Sequence, residues 1–312
     1  MENIDSLNIK IVSQKADEEF YKQKSNTPPI DLDSVLSERY KEFDNLLNSK
    51  LSDHLVLFDD GIKTIIGIHE ICKHNYGETK EGLSFVILSS KMVGLLLGIR
   101  KMIYSGLGDC IKNLNRPLIE TIDVFFACLI NKELSDSFAR KDKSYDNNDF
   151  YWKNFAKDKL SKECNKLFRS LLITEEYISF LNNKRKDQRS FLSQSIHSSF
   201  NASFASYIMS TIDFNISDSC FGKITTAFPM LIMRLIEDIY IFDSIFYAAL
   251  DKEISSDFEN LKIEKADPIY FHYHVKFELL YANYWEFLYN QAQAYPNFLG
   301  SLIDELKNND AK

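Results

Sequence analysis

Residues 83–104 read LSFVILSSKMVGLLLGIRKMIY, a stretch that is apolar on nearly every side of a helix. A helix that is apolar all round is buried among other elements of the fold. The stretch therefore predicts a central helix that other helices surround. Only 10 Gly and 6 Pro occur in 312 residues, too few turn signals for many short strands. The predicted fold class is all-α.

Apolar residues recur at helical spacing on both sides of this stretch. The predicted helices run from about 33 to 48, 55 to 74, 109 to 140, 149 to 169, 174 to 185, 189 to 209, 221 to 250, 268 to 294 and 298 to 306. Ser52 and Asp109 are candidate N-caps. Pro117 predicts either a kink in its helix or a helix start there.

These elements predict a multi-helix bundle of about nine to ten helices, in which a long C-terminal helical pair packs on a central bundle. Its expected divisions are an N-terminal arm over 1–32, a central helical bundle over 33–215 and a C-terminal helical region over 216–312. We expect the last two to form one compact unit.

The charge balance limits the function. A net charge of -8 argues against a protein that coats nucleic acid or anionic membrane through bulk electrostatics. Residues 141–189 nevertheless hold 12 Lys or Arg against 8 Asp or Glu, whereas residues 235–312 hold 6 against 14. The middle region is therefore either a local basic face or ordinary solvated helix surface.

The cysteine pattern and the N-terminus favour a cytoplasmic protein. Five widely spaced cysteines without a CxxC pair indicate neither a disulfide framework nor a zinc knuckle. The N-terminus lacks the pattern of a signal peptide. Three apolar stretches, 83–99, 118–130 and 224–250, each contain charged residues, so no membrane span is expected.

Two polar pairs interrupt predicted apolar helices. Arg116 and Glu120 are four residues apart, as are Ser193 and His197, so each pair shares one face of a helix. Buried polar groups need partners, and the two pairs are candidates to satisfy each other. The four residues then line a ligand pocket. The alternatives are a core salt bridge and a hydrogen-bonded core histidine.

Catalytic motifs are incomplete. No Gly-x-Ser-x-Gly elbow presents Ser193 as a nucleophile. Small helical ribonucleases of bacterial toxins and defence proteins typically carry an Arg and a His on one helix with four to six residues between them. Here Arg189 and His197 have seven residues between them. The alternative to a non-enzymatic protein is therefore a metal-independent, ribonuclease-like effector. It would use His197 with Arg116 or Arg189, and Glu120 is a further catalytic candidate.

Metal ligands do not form a recognisable pattern. The chain has no Glu-x-x-His pair, which a helical di-metal site needs. His69 and Cys72 are three residues apart, and His272 and His274 are two apart and point to different sides of a helix. We expect no metal and no cofactor.

The last long helix carries an aromatic stripe. Its members lie at helical spacing: Tyr270, Tyr273, Phe277, Tyr281, Tyr284 and Leu288. Core packing explains such a stripe, and aromatic residues on the flank, including Trp285, favour a partner interface as well.

Three segments resemble a bacterial family of all-helical proteins: LNRPLIETIDVFFA at 114–127, residues 133–138 and FLSQSIHS at 191–198. Members of that family carry an Arg-Ser-Leu-x-Glu helix followed by a helix with a Ser-x-x-x-His-like element. The resemblance covers about residues 83–208, and Pro117 stands where a serine is usual. It implies a cytoplasmic helical domain that is sometimes associated with phage-defence or abortive-infection loci and has no established reaction.

The sequence thus favours a non-enzymatic interaction or sensor protein, plausible in bacterial antiviral defence. A protein partner or self-association is the expected interaction. RNA or a nucleotide is the alternative ligand.

Overall fold

The structure, a computed structural model, describes residue 18 and residues 32–77, 82–139, 154–155, 158–196, 228–250 and 268–294. These ranges contain nine helices and no strand: α1 (Leu32–Lys50), α2 (Ser52–Tyr76), α3 (Leu83–Tyr104), α4 (Gly108–Ile130), α5 (Lys132–Ala139), α6 (Lys159–Ser170), α7 (Glu175–Ile196), α8 (Phe228–Leu250) and α9 (Pro268–Ala294). The predicted all-α, multi-helix class is confirmed. Residues 298–306 lie outside the described part, as does the N-terminal arm apart from residues 18 and 32.

Helices α2, α3, α4 and α8 meet at an aromatic centre. The ring of Phe125 on α4 lies 5.1 Å from Phe85 on α3 and 5.1 Å from Phe242 on α8, measured between centroids. All three side chains are fully buried. Rings at this spacing contribute stabilisation beyond the area that they bury.

The C-terminal pair packs on this centre. Helix α9 lies antiparallel to α2, because Asp60 pairs with Lys276 while His54, earlier on α2, contacts Tyr284, later on α9. Gly67 permits the close approach, since an added Cβ would lie 3.2 Å from the Cα of Tyr270.

The aromatic stripe of α9 is largely core, as predicted. Tyr270, Phe277, Tyr281 and Tyr284 are buried, and Tyr273 is partly buried. The side chain of Leu288 lies outside the described part of the chain. On the flank Trp285 is exposed, and other sides of the helix expose Ile269, Val275 and Leu279.

Two predicted caps are wrong. Leu51 and Leu107 occupy the N-cap positions, so Ser52 and Asp109 lie inside the first turns. Asp109 instead accepts a hydrogen bond from Lys112 at 2.8 Å.

The predicted helix over 109–140 is divided in two. Asn131 leaves the helical conformation after α4, and its side-chain oxygen accepts the N–H of Leu134 at 3.0 Å. This bond satisfies an otherwise unpaired amide in the first turn of α5.

Pro117 lies inside α4, which continues from Gly108 to Ile130 without a break. The alternative of a helix start at Pro117 is therefore wrong. Proline has no N–H to donate to the preceding turn, so α4 lacks one ladder hydrogen bond there. The hydroxyl of Thr121 donates to the carbonyl of Pro117 at 2.6 Å.

The predicted boundary between helices near 185 and 189 is also wrong. Helix α7 runs unbroken from Glu175 to Ile196, and the hydroxyl oxygen of Thr174, just before the helix, accepts the N–H of Tyr177 at 3.4 Å. The run NNKRKDQR at 182–189 looks like a loop, yet two of its side chains, Arg185 and Gln188, point into the protein.

Helix α3 matches its predicted bounds. Within the described residues it is the one helix long and apolar enough to cross a membrane, by length and composition only. Core helices of soluble proteins pass the same test when they are mostly buried, whereas 39% of the apolar stretch of α3 is buried. Phe85, Met92 and Ile99 are buried on one side of α3, and Ile87 and Leu97 are exposed on the other, so the prediction of a helix that others surround is wrong. Arg100 holds α3 to α2 through Asp59 at 2.7 Å.

Candidate functional site

The structure brings three of the four predicted pocket residues into contact. Arg116 donates to Glu120 at 3.2 Å along α4 and to the hydroxyl of Ser193 on α7 at 3.4 Å. His197 lies outside the described residues. The Arg116 and Glu120 side chains are 35% and 33% exposed, so these two lie at the edge of the core rather than inside it.

Further along the same two helices, a second ionic contact continues from the first. Asp123 on α4 accepts from Arg185 at 3.1 Å and from Arg189 at 2.8 Å, both on α7. Arg116, earlier on α4, contacts Ser193, later on α7, whereas Asp123, later on α4, contacts Arg185, earlier on α7. The two helices are therefore antiparallel. Arg116, Glu120, Asp123, Arg185, Arg189 and Ser193 form what we call the α4–α7 seam.

Arg185 extends this seam to α8. Its guanidinium donates to Asp238 at 3.0 Å, and the amide of Gln188 donates to both oxygens of that carboxylate, at 3.0 and 2.9 Å. Burial alone would lower the pKa of Arg185, but the attraction of Asp123 and Asp238 outweighs it and holds the pKa above its ordinary value. Arg185 therefore stays charged and joins three helices.

A pocket of about 390 Å³ opens beside the seam, between α4, α6, α7 and α8. Phe126, Phe168 and Ile241 supply apolar lining. Besides Asp123, Arg185 and Arg189, its polar lining consists of Asp158, Ser161, Asn165, Asn182, Asn183 and Lys186. The volume falls within the range of small-molecule sites. The predicted pocket residues Arg116, Glu120 and Ser193 are not among its lining; they lie next to it along the seam.

One residue that lines this pocket has a polar atom without a partner among the described residues. The side-chain oxygen of Asn165 is buried and accepts no hydrogen bond from them. An unsatisfied buried acceptor costs free energy, so this atom calls for a donor that the described residues do not supply.

The cysteine beside this pocket is not a prepared nucleophile. Cys164 is buried and donates to the backbone oxygen of Asp123 at 3.4 Å. Burial raises its pKa well above the ordinary value, and the carboxylate of Asp123 adds to this. A thiol that stays protonated is a weak nucleophile and a poor metal ligand.

The other predicted metal-ligand pairs are separated or otherwise engaged. His69 bonds to Ser89 on α3 at 3.0 Å, and Ser89 in turn donates to Phe85 at 2.6 Å, so His69 is the donor to Ser89. Cys72 is buried against the same serine, and burial raises its pKa to about 12. His274 is buried and His272 is exposed, as their spacing predicted.

Sequence reasoning missed Arg185, Gln188 and Asp238 as partners. A signal was present, because Asp123 and Asp238 interrupt apolar helices and a buried carboxylate requires a cation or several donors. What the sequence did not show was which of the many exposed-looking cations reach them.

Comparisons with known proteins identify no relative. No known family matches the chain, and no curated protein or solved structure shows significant similarity to it. The resemblance to the helical defence-associated family therefore rests on its short motifs alone.

Proposed function

We propose that this protein is a non-enzymatic helical sensor that binds a small polar molecule in the pocket beside the α4–α7 seam. The pocket carries the proposal, because its volume of about 390 Å³ lies in the range of small-molecule sites and most of the side chains that line it are polar or charged. The unpartnered oxygen of Asn165 supports it, because Asn165 lines the pocket and a ligand that donates a hydrogen bond to this oxygen would satisfy it.

The charges of the pocket favour a ligand with an acidic group. Asp123 is shared between Arg185 and Arg189, and Arg185 also pairs with Asp238. The 40% exposed Arg189 and the exposed Lys186 both line the pocket, so an anionic ligand can take hydrogen bonds from these two cations. The proposed ligand class is therefore a small metabolite or nucleotide that has both an N–H or O–H donor and a carboxylate or phosphate.

Binding there would act on the fold as a whole. The pocket takes its lining from four helices, so a bound molecule favours the arrangement in which all four are docked. A sensor needs such a coupling to pass its signal to a partner protein or a second copy. The association with antiviral defence follows from the family resemblance and is part of this proposal, as is a cytoplasmic location.

The test is a thermal-unfolding screen of the full chain against nucleotides, amino acids and organic acids at millimolar concentration. A ligand at about 100 times its Kd stabilises the folded state by about 2.7 kcal/mol, which raises the Tm measurably. We expect the shift to disappear in Asn165→Leu and Lys186→Gln and to persist in Asn283→Leu, whose side chain bonds only to its own helix in the described structure. A panel that leaves the wild-type Tm unchanged contradicts the proposal.

A specific observation also favours the ribonuclease-like alternative. Near the contact of Arg116 with Ser193, the partly exposed ring of Phe191 lies 5.4 Å from the ammonium of Lys112 and 5.0 Å from the guanidinium of Arg234. Cations around an exposed aromatic ring are typical of surfaces that bind single-stranded nucleic acid. Residue 197 follows α7 directly.

A cleavage assay separates the two proposals. Purified protein is incubated with mixed RNA and tRNA, and wild type is compared with His197→Ala, Arg116→Ala and Arg189→Ala, with His272→Ala as the control and folding of each checked by circular dichroism. Cleavage that is lost in His197→Ala and kept in His272→Ala would replace the sensor proposal with the nuclease. Intact RNA in every sample removes the nuclease.

A further inference from the structure

A second polar cluster lies between α8 and α9, away from the α4–α7 seam. Asp243 is completely buried on α8, and its Oδ2 lies 2.7 Å from Nδ1 of His274 on α9. Glu278 follows one turn after His274 on the same face of α9. One ligand atom from each of the three residues lies within 4.8 Å of the other two.

We propose that Asp243, His274 and Glu278 bind a divalent transition-metal ion. Imidazole nitrogen and carboxylate oxygen lie about 2.0–2.2 Å from such ions, so neighbouring ligand atoms of a tetrahedral ion are about 3.4 Å apart. The three ligand atoms lie within 4.8 Å of one another, so their separations have to change by up to about 1.5 Å to reach this geometry. Binding replaces the direct contact of His274 with Asp243, and the one proton of the neutral imidazole moves from Nδ1 to Nε2 by exchange with solvent, which leaves Nδ1 free to bind the ion.

The charge of the cluster supports a dication. With His274 neutral, the two carboxylates carry a charge of -2; a protonated His274 would compensate only half of it. The nearest lysine along α9, Lys276, pairs with Asp60, and within the described ranges Asp243 and Glu278 form no ion pair with Lys or Arg. A divalent ion would neutralise the cluster, which its burial favours.

Neighbouring side chains hold the three ligands in place. The hydroxyl of Tyr270 donates to the other oxygen of Asp243 at 3.0 Å, and the hydroxyl of Ser244 donates to Glu278 at 3.0 Å. The ring of Tyr247 stacks on His274 with 4.0 Å between centroids. Hydrogen bonds of this kind orient the ligands of metal sites and make carboxylates better positioned donors.

The donor set indicates the class of metal. One imidazole and two carboxylates suit Zn²⁺, Mn²⁺, Fe²⁺ or Co²⁺, whereas Mg²⁺ and Ca²⁺ favour oxygen ligands alone. The sequence predicted no metal because it contains no Glu-x-x-His pair. Here the carboxylate follows the histidine by four residues, and the third ligand comes from another helix.

The experiment uses the full chain after treatment with a chelator. Zn²⁺ and Co²⁺ are titrated separately by calorimetry, and the visible spectrum of the Co²⁺ sample is recorded. We expect one strong site, with Co²⁺ bands of nitrogen and oxygen coordination and no thiolate charge-transfer band. Glu278→Gln, in which the changed residue is only partly buried, and His274→Gln should each weaken binding at least tenfold.

Two controls keep the test decisive. His272→Gln changes the exposed histidine two residues from His274 and should bind metal as wild type does. Circular dichroism shows which variants remain folded, and Glu278→Gln serves if His274→Gln does not. Any of three results would overturn the proposal. The first is a wild type that binds neither ion, and the second is binding that His272→Gln weakens as much as the ligand variants do. The third is full binding in Glu278→Gln together with full binding in a folded His274→Gln.

Discussion

Replacing Arg185 by methionine should strongly destabilise the protein. The guanidinium makes charged hydrogen bonds to Asp123 at 3.1 Å and to Asp238 at 3.0 Å, and hydrogen bonds to charged groups contribute about 1.5–3 kcal/mol each. After the change Asp123 retains Arg189, and Asp238 retains Gln188 and, at 3.6 Å, Lys184. Removing one partner from a buried pair typically costs about 3–5 kcal/mol when the other charge is left unpaired. Because both carboxylates keep a cation, we expect Arg185→Met to lower the free energy of unfolding by about 3 kcal/mol, the lower end of that range.

Urea unfolding followed by circular dichroism measures the change. The matched control is Arg169→Met, because Arg169 also makes two hydrogen bonds to one carboxylate, Glu175, but both side chains are exposed. Exposed pairs contribute little, so the control should unfold near the wild-type midpoint. Adding Asp238→Asn to Arg185→Met should recover part of the loss, since the amide no longer needs a cation. Equal midpoints for Arg185→Met and Arg169→Met would refute this reasoning.

Three further predictions concern packing, thiol reactivity and pH. Gly67→Ala should lower the free energy of unfolding by about 1–3 kcal/mol, because the added Cβ would lie 3.2 Å from the α9 backbone. Gly94→Ala should raise the free energy of unfolding by about 0.5–1 kcal/mol, because the added Cβ has no atom within 4 Å. Urea midpoints that shift in the same direction for both variants would contradict this. Cys110 is exposed, whereas burial raises the pKa of Cys164, so iodoacetamide should alkylate Cys110 well before Cys164. Peptide mass spectrometry of the native protein measures the two rates, and equal rates would contradict the burial of Cys164. Burial lowers the pKa of His54 from 6.5, although the nearby Asp53 acts in the opposite direction. The unfolded chain therefore binds more protons, and the free energy of unfolding falls as the pH drops below about 6.5. In urea titrations at several pH values, His54→Gln should reduce this pH dependence of the free energy of unfolding, and an unchanged dependence would contradict the prediction.

The helices themselves were largely predictable because their signals are local. The apolar run of α3 and the Pro268 start of α9 lie in the sequence as unbroken patterns, and both helices match their predicted ranges. The helix boundaries were predicted wrongly where a contact between helices determines the local structure. The polar run at 182–189 is helical because Arg185 and Gln188 find partners on α4 and α8, at sequence separations of 50 residues or more.

The candidate site was predictable only in part for the same reason. Spacing alone put Arg116 beside Glu120, and the buried-polar argument paired them with Ser193, which the structure shows in contact. Nothing local distinguishes Arg185 from the lysines on either side of it. The choice depends on which face of α7 meets Asp123, and tertiary packing sets that face.

The connection of Arg185 with α4 and α8 has a consequence for the lifetime of the folded state. Its two carboxylate partners are 62 and 53 residues away along the chain, so both bonds require long loops to close before they contribute. Contacts of this kind are expected to be absent from the folding transition state, so they slow unfolding without speeding folding. In stopped-flow experiments, Arg185→Met should therefore raise the unfolding rate and leave the folding rate nearly unchanged; slower folding instead would place the contact in the nucleus. Arg185 thus slows unfolding and lengthens the lifetime of the native protein.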